Sequence, residues 1–360
     1  MAREKVIVGM SGGVDSSVAA YLLKEQGYDV MGITMQIWQD EEEEKQEEEG
    51  GCCGLSAVED ARRVARLLDI PYYVLNFKRE FKESVMDYFV REYVRGRTPN
   101  PCIACNRHVK WEALLSRARA LGADYIATGH YARIERLPNG RYAVRNSVTA
   151  EKDQTYALYN LTQDQLRHTK MPVGAYTKPE IREMAERLGL PVAGKRDSQE
   201  ICFIPDKDYA GFIEKYTGTH MPEGNFVTAD GEVLGRHRGI THYTVGQRRG
   251  LGLPMGRRVF VREIRPLTNE VVIGEGNDIF SDSLEADCVN YMAVEEPEIG
   301  ESGRYVAKIR YGHRGTDCTV TRVGADRIRC EFDQPVRAVT PGQAVVFYRD
   351  DCVAGGGTIL

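Results

Sequence analysis

The segment Ser11–Ser17 has the composition of a phosphate-binding loop, with two glycines, three serines and Asp15. It follows the apolar run Lys5–Met10, and apolar residues at helical spacing continue after it to Gly27, so it is predicted to join a strand to a helix. Backbone N–H groups at a helix start bind anions, and glycines let a phosphate approach closely. A carboxylate alone would repel phosphate, so Asp15 favours a bridging Mg²⁺. The P-loop pattern G-x-x-x-x-G-K-[ST] is absent, which argues against γ-phosphate transfer of that type.

Three of the nine cysteines stand in segments suited to thiol chemistry. Cys102 and Cys105 form a C-x-x-C pair among prolines and asparagines, a composition that predicts a fixed turn presenting side chains to a ligand. Arg97 and Arg107 add positive charge beside the pair, which favours the thiolate. Cys202 is far away in sequence, but a folded chain can bring it near the pair.

The remaining cysteines suggest other roles. A zinc site built on the C-x-x-C pair would need a second pair of thiols, and the adjacent Cys52 and Cys53 have poor geometry for joint ligation. An odd number of cysteines without an export signal favours reduced thiols over a disulfide framework. Four cysteines in β-like runs are predicted to be small buried hydrophobes: Cys288, Cys318, Cys330 and Cys352.

Strands and helices alternate through the first part of the chain, where they must position these loops. Strands are predicted at Tyr28–Met35, Pro71–Leu75 and Tyr125–Thr128 in addition to the first one, with amphipathic helices between them. This order predicts an α/β domain over residues 1–210 that contains a doubly wound parallel sheet.

The pattern changes after about residue 210. Helical periodicity gives way to short β-rich runs separated by turns, one of them predicted at Gly355–Gly357. We therefore expect two smaller β-rich domains, a central one over residues 211–280 and a C-terminal one over residues 281–360 that resembles a barrel.

The formal charge of −5 is unevenly distributed. The segment Asp40–Glu49 holds eight acidic residues and one lysine, and the other 350 residues have a net charge of +2. Basic residues concentrate in Arg91–Ala120 and in Val233–Arg262, and the second stretch has seven arginines and no carboxylate. Both stretches are candidate surfaces for a polyanion such as RNA. No apolar run approaches the length of a membrane span and no signal peptide is evident, so we expect a cytoplasmic protein.

Several motifs occur in one order along the chain. They are Ser11–Ser16, Gly96–Asn106, Ala127–Tyr131, Lys152–Gln154, Ser198–Phe203, Tyr243–Leu251 and Gly355–Ile359. Together they resemble the tRNA-specific 2-thiouridylases of the PP-loop ATP pyrophosphatase superfamily, and the resemblance covers essentially the whole chain. It implies an N-terminal domain of the adenine nucleotide alpha hydrolase type.

The resemblance also implies an activity. A sulfurtransferase of this family uses ATP and Mg²⁺ to adenylate the C2 oxygen of the wobble uridine, and a cysteine persulfide then delivers sulfur. The implied partners are tRNAs for Lys, Glu and Gln and a persulfide donor, such as a cysteine desulfurase or a sulfur-relay protein; no membrane is involved.

The family motifs assign roles to individual residues. Cys202 is expected to carry the persulfide and Cys105 to be the nucleophile that releases the sulfur. Contacts with ATP are implied for Gly9, Met10, Ser11, Gly12, Gly13, Val14, Asp15, Ser16, Met35 and Gly129. Contacts with tRNA are implied for Asn100, Pro101 and Cys102 at the target base, and for Lys152, Asp153, Gln154, Arg310 and Tyr311.

Cys102 departs from the family pattern, which usually has Asp there. The change leaves an acid/base role unassigned and adds a third thiol, so a [4Fe–4S] cluster on Cys102, Cys105 and Cys202 is an alternative to the persulfide route. Two further hypotheses stay open. One is a different PP-loop synthetase that adenylates a carboxylate, and the other is a non-catalytic RNA-binding protein.

Overall fold

The structure, a computed structural model, describes residues 3–37, 55–195 and 201–360. The acidic segment 40–49, Cys52, Cys53 and residues 198–200 lie outside the described residues.

The N-terminal part alternates strands and helices, numbered along the chain. Its strands are β1 (Lys5–Gly9), β2 (Asp29–Gln36), β3 (Tyr72–Asn76), β4 (Tyr125–Ala127), β5 (Ala132–Arg136), β6 (Tyr142–Asn146) and β7 (Thr169–Lys170). Its helices are α1 (Val14–Glu25), α2 (Leu55–Leu67), α3 (Lys78–Phe81), α4 (Asp87–Val94), α5 (Pro101–Ala104), α6 (Leu115–Ala120), α7 (Gln163–Arg167) and α8 (Lys178–Arg187). Wider π-helical turns at Lys82–Met86 and Cys105–Leu114 join α3 to α4 and α5 to α6.

Five of these strands form a parallel sheet in the order β3-β2-β1-β4-β7. Side chains of a strand alternate between the two faces of its sheet. Val6 and Val8 of β1 pack in an apolar cluster with α1, α2 and α8, whereas Ile7 packs in a second cluster with α3 to α6. Helices therefore cover both faces, which confirms the predicted doubly wound sheet.

Strands β5 and β6 form a hairpin that was not predicted. The hairpin is not part of the parallel sheet and pairs instead with a strand of the C-terminal domain. Arg145 of β6 pairs with Cys352 of the last strand. The Asp351 carboxylate accepts hydrogen bonds from Arg145 Nη2 at 2.6 Å and from Arg133 Nη2 at 3.2 Å. Two arginines of the hairpin thus bind one carboxylate of the C-terminal domain.

The rest of the chain is β-rich, as predicted. Helix α9 (Tyr209–Thr217) precedes a four-stranded sheet of β8 (Gly224–Val227), β9 (Val233–His237), β10 (Phe260–Arg265) and β11 (Glu270–Gly274). The C-terminal strands are β12 (Phe280–Tyr291), β13 (Ser302–Lys308), β14 (Thr316–Gly324), β15 (Arg327–Arg337), β16 (Ala344–Arg349) and β17 (Cys352–Ile359). They pair in the order β12-β15-β14-β13-β16-β17, and β17 pairs again with β12, which closes a barrel.

The prediction of a turn at Gly355–Gly357 is wrong, because all three glycines lie inside β17. A Cβ on Gly356 would lie 2.6 Å from the carbonyl oxygen of Val345 and 2.6 Å from Tyr159 Cδ2. One on Gly355 would lie 2.4 Å from the oxygen of Asn290. The absence of side chains lets β17 approach its neighbours closely enough to close the barrel and pack against the N-terminal domain.

The prediction of buried cysteines holds for three of the four. Cys318, Cys330 and Cys352 are buried, but Cys288 is exposed and has a positive φ of 50°. It lies in an irregular part of β12, where its backbone N–H donates to Asp326. Periodicity does not reveal such an irregularity. In the described ranges, no helix is both long and apolar enough to span a membrane.

The hairpin attachment predicts a pH-dependent contribution to stability. The hydrogen bond from Arg145 holds the pKa of Asp351 below its ordinary value of 3.8. The contribution is therefore present above the pKa of the unfolded chain and is lost as the pH falls through the lower pKa of the folded chain. Asp351→Asn should lower the free energy of unfolding at pH 7 by about 1 kcal/mol, with a smaller difference from the unsubstituted protein at about pH 3.

Urea denaturation at both pH values measures this effect. Asp350→Asn is the matched control, because Asp350 is the exposed neighbour and Asn tolerates its positive φ of 56°. Equal decreases in the free energy of unfolding of the two variants would contradict the role assigned to Asp351.

Candidate active site

The phosphate loop lies where the sequence predicts it, between β1 and α1. Gly12 has a φ of +67°, and a Cβ there would lie 2.3 Å from the carbonyl oxygen of Ala57. Ser17 Oγ donates to the Gly13 carbonyl at 2.8 Å, and the backbone N–H of Ser11 donates to Ser16 Oγ at 3.2 Å. Within the described residues no side chain caps the start of α1, so its first N–H groups are available to an anion.

The other residues expected to contact ATP surround this loop. Met35 lies near the end of β2, and its Cε is 3.9 Å from the position of a Cβ on Gly9. Gly129 follows β4, and a Cβ there would lie 2.6 Å from the backbone nitrogen of Ser16. The loop therefore lies at the carboxyl ends of the parallel strands, between β1 and β4, where ligands bind to open α/β sheets.

Asp15 is held by two side chains that the sequence analysis did not select. Tyr131 Oη donates to its Oδ1 at 2.7 Å, and Lys178 Nζ lies 2.8 Å and 2.9 Å from its two oxygens. Lys178 is buried and opens α8 directly after the cap residue Thr177. A cation is unfavourable at a helix N-terminus, and that misplaced charge was the available sequence signal.

Lys195 is a second cation that the sequence analysis missed. Its Nζ lies 3.2 Å from the carbonyl oxygen of Gly12 and 3.0 Å from Asp60 Oδ2. Lys178 and Lys195 therefore place positive charge on both sides of the loop, which suits a polyphosphate.

The donor set at Asp15 fits a magnesium ion bound with a nucleotide. Mg²⁺ is commonly held by one or two carboxylates together with substrate phosphates and water. Asp15 supplies one such carboxylate, and Lys178 occupies the same oxygens in this structure. A bound ion would supply charge neutralisation for the phosphates.

The cysteine pair begins a helix, and the predicted fixed turn is confined to its cap. Asn100 Oδ1 accepts hydrogen bonds from the backbone N–H groups of Cys102 at 3.1 Å and Ile103 at 3.2 Å, with Pro101 in the first helical turn. Cys102 is exposed and Cys105 is half-buried. The cap fixes the Asn100 side chain and orients the start of the helix.

Cys202 and Cys105 pack against one apolar cluster, which Met35 also contacts. Phe203 anchors the Cys202 segment, because its ring is 5.6 Å from that of Phe81 and 5.5 Å from that of Phe89. The part of this motif before Ile201 lies outside the described residues.

Cys102, Cys105 and Cys202 are the candidate ligands of the alternative [4Fe–4S] cluster. Among residues 3–37, 55–195 and 201–360, no group of three or more His, Cys, Asp or Glu side chains is arranged to hold a metal ion. A [4Fe–4S] cluster binds each cysteine thiolate through a different iron, so it stays an alternative to the persulfide route.

The segments expected to contact tRNA meet one another across the domains. Tyr311 Oη donates to the backbone oxygen of Asp153 at 2.9 Å. Burial raises the pKa of Tyr311, and the negative charges of Asp153 and Cys102 raise it further. Gln154 Oε1 accepts from the backbone N–H of Tyr131 at 2.8 Å, which connects this region to Asp15.

Two glycines of the phosphate loop should respond differently to alanine. Gly12→Ala combines a strained φ with a backbone clash and should lower the free energy of unfolding by about 2 kcal/mol or more. Gly13→Ala meets only Ser11 Oγ, at 3.4 Å, and should cost less than about 1 kcal/mol. Because its methyl group lies at the helix start, it should still weaken ATP binding.

Chemical denaturation and ATP titration of both variants measure these effects. A Gly13→Ala variant with unchanged ATP affinity would indicate that the phosphates do not approach the loop backbone there.

Known proteins resemble the chain in sequence and, at low similarity, in fold. Three family profiles match successive parts of the chain: the tRNA methyl transferase HUP domain over residues 4–206, the tRNA methyl transferase PRC-barrel domain over residues 210–275 and the Aminomethyltransferase beta-barrel domain over residues 281–359. A solved 4-thiouridine synthetase–RNA complex with bound ATP aligns with 60% of this chain and 50% of that chain, at 18% identity and a TM-score of 0.34.

Full-length relatives are much more similar. A Lachnoclostridium phytofermentans protein named tRNA-specific 2-thiouridylase MnmA is 69% identical over 357 residues, or 99% of each chain. A protein of the same name from Clostridioides difficile is 54% identical over 358 residues, which cover 99% of this chain and 98% of the relative. On this similarity, together with its α/β domain and β-barrel, the chain belongs to the family of the tRNA-specific 2-thiouridylases.

Proposed function

We propose that the chain catalyses the ATP-dependent 2-thiolation of the wobble uridine of tRNA, with sulfur supplied by a cysteine persulfide. The observation that carries this proposal is a set of contacts joining three regions. Asp15 of the phosphate loop binds Tyr131, and Tyr131 binds Gln154. The backbone oxygen of the adjacent Asp153 accepts a hydrogen bond from Tyr311, and Cys105 and Cys202 pack against the apolar cluster that Met35 also contacts. Nucleotide, thiols and RNA would thus meet at one end of the parallel sheet.

The first step makes the uridine oxygen a leaving group. The C2 oxygen attacks the α-phosphorus of ATP, the base loses its N3 proton, and pyrophosphate leaves. Residues Gly9–Ser16, Met35 and Gly129 would hold the nucleotide, and the helix start of α1 would stabilise the phosphate charge. Lys178 and Lys195 are suited to balance the charge that develops on pyrophosphate. Asp15 would hold Mg²⁺ once the nucleotide displaces Lys178.

The second step transfers sulfur. The outer sulfur of a Cys202 persulfide attacks C2, and AMP leaves with the oxygen. The Cys105 thiolate then attacks Sγ of Cys202, which breaks the S–S bond, leaves the outer sulfur on C2 and forms a Cys105–Cys202 disulfide. The transferred sulfur gains the two electrons that the cysteines lose. A thiol reductant must reopen the disulfide, and a persulfide donor must reload Cys202, before the next turnover.

The other site residues are assigned to the target base or to the tRNA around it. Asn100, Pro101 and Cys102 would face the target base, and Lys152–Gln154 with Arg310 and Tyr311 would contact the tRNA around it. We propose residues 1–210 as the catalytic domain, 211–280 as a central tRNA-contacting domain and 281–360 as the C-terminal barrel. The substrates would be the cytoplasmic tRNAs for Lys, Glu and Gln, and the donor a cysteine desulfurase or a sulfur-relay protein.

Serine substitutions test the two sulfur-handling cysteines. Cys105→Ser and Cys202→Ser should abolish 2-thiouridine formation without loss of ATP binding, because neither cysteine belongs to the loop Ser11–Ser17 that is proposed to bind the nucleotide. Mass analysis of tRNA nucleosides after incubation with ATP, Mg²⁺ and a persulfide source measures the product. Cys288→Ser is the matched control, because this exposed thiol has no place in the proposed chemistry.

The other hypotheses predict different results. Full activity of Cys202→Ser would favour a different PP-loop adenylating synthetase. The absence of tRNA-dependent pyrophosphate release by the unsubstituted protein would favour a non-catalytic RNA-binding protein.

A further prediction separates the persulfide route from an iron–sulfur route. The persulfide route needs no metal cluster, so protein purified without oxygen should turn over with a persulfide donor in the absence of iron. Cys102→Asp should retain activity, because a carboxylate can serve as the acid/base group there. Activity that rises in proportion to bound iron and sulfide, and that Cys102→Asp abolishes, would contradict the persulfide route.

A further inference from the structure

An arginine-lined cleft lies where the central domain meets the C-terminal barrel. The segment Gly246–Arg249 is fixed on β10, since the backbone of Gly246 donates to the carbonyl of Val261 at 2.8 Å and that of Val261 donates to the carbonyl of Gln247 at 2.9 Å. A Cβ on Gly246 would lie 2.6 Å from Cβ of Ala338. The glycine thus permits close contact with the strand end that carries Arg337.

Four arginines from the two domains line this cleft, which has a volume of about 450 Å³. Arg248, Arg249 and Arg258 come from the central domain, and Arg337 comes from β15. The Arg337 guanidinium lies 4.8 Å from the centre of the Phe260 ring. Because Arg337 covers this ring, the cleft presents guanidinium groups rather than an open aromatic surface.

Neighbouring arginines, unlike these four, form ion pairs with carboxylates. Arg236 lies 3.7 Å from Glu223, Arg257 lies 3.2 Å from Glu275, and Arg265 lies 3.1 Å from Glu263. In the part of the chain that the structure describes, no carboxylate forms an ion pair with any of the four cleft arginines. An anionic ligand would therefore neutralise positive charge that no carboxylate among the described residues pairs with.

The cleft is continuous with the region proposed to contact tRNA. Arg310 Nη1 donates to the backbone oxygen of Arg337 at 2.8 Å, and Arg310 is adjacent to Tyr311. On the other side, Thr244 Oγ1 lies 3.4 Å from Thr98 Oγ1, two residues before Asn100. The first contact joins the cleft to Arg310 and Tyr311, and the second joins the segment before Asn100 to the segment that leads to Gly246.

We propose that the arginine cleft binds backbone phosphates of the tRNA substrate next to the modified nucleotide. The proposal rests on the proposed function, since it names tRNA as the polyanion. Guanidinium groups bind phosphate oxygens in a bidentate manner, and a cleft without an open aromatic face recognises backbone rather than base. It would thus anchor the anticodon arm whatever its sequence, while the catalytic site selects the uridine.

A charge-matched pair of double variants tests the cleft. Arg258→Gln with Arg337→Gln should raise the Kd for tRNA by about tenfold near physiological salt and lower the log–log salt slope by roughly 1.5, because two phosphate contacts are lost. Arg236→Gln with Arg257→Gln removes the same charge from arginines paired with carboxylates, and it should change the Kd by less than about twofold. Both double variants should keep the unsubstituted protein's affinity for ATP.

The outcomes separate the cleft from the catalytic proposal. Equal tRNA affinity and salt slope in the cleft variant and the unsubstituted protein would overturn the proposal that the cleft binds tRNA phosphates, even if 2-thiouridine still forms. Equal losses in the two double variants would overturn it as well, since net charge would then explain the effect. A selective loss in the cleft variant would support the cleft even if the unsubstituted protein formed no 2-thiouridine, a result that would overturn the proposed function alone.

Discussion

The carboxylate of Asp15 is the constraint on which the active-site end of the molecule depends. It stands at the start of α1, among N–H groups that attract anions, and it is paired with a buried lysine and a tyrosine hydroxyl. Lys178 neutralises a charge that would otherwise repel a nucleotide. Tyr131 connects the same carboxylate to Gln154, so the position of the loop Ser11–Ser17 and that of the segment proposed to contact tRNA depend on each other.

A second constraint is the way in which the barrel closes. Strand β17 pairs with β16, β12 and the hairpin strand β6, and its three glycines leave space for the backbones of its neighbours and for Tyr159. Gly342 packs against Thr98, whose backbone N–H donates to the Pro341 carbonyl at 2.8 Å. The C-terminal domain thereby supports the loop that leads to Asn100. A site built from two domains in this way needs both of them to be folded.

Local sequence predicted the secondary structure around the site better than the contacts between its parts. The strand, glycine turn and helix around Ser11–Ser17 can be read from periodicity and residue type, because the determinants lie within one short segment. The ion pair of Lys178 with Asp15 spans 163 positions, and no local pattern encodes such a partner. The exposed thiol of Cys288 and the extended Gly355–Gly357 were likewise assigned incorrectly, since the paired strand decides both.

The sequence by itself determined the doubly wound sheet, the loop Ser11–Ser17 between a strand and a helix, and the β-rich second half, because hydrophobic period and turn chemistry act over a few residues. It also determined that basic residues cluster in two stretches. Only the tertiary structure decided which arginines are paired with carboxylates and which line a cleft, which strand closes the barrel, and where the hairpin of β5 and β6 attaches. These outcomes depend on contacts between residues far apart in the chain, where packing and electrostatics between domains select the partner.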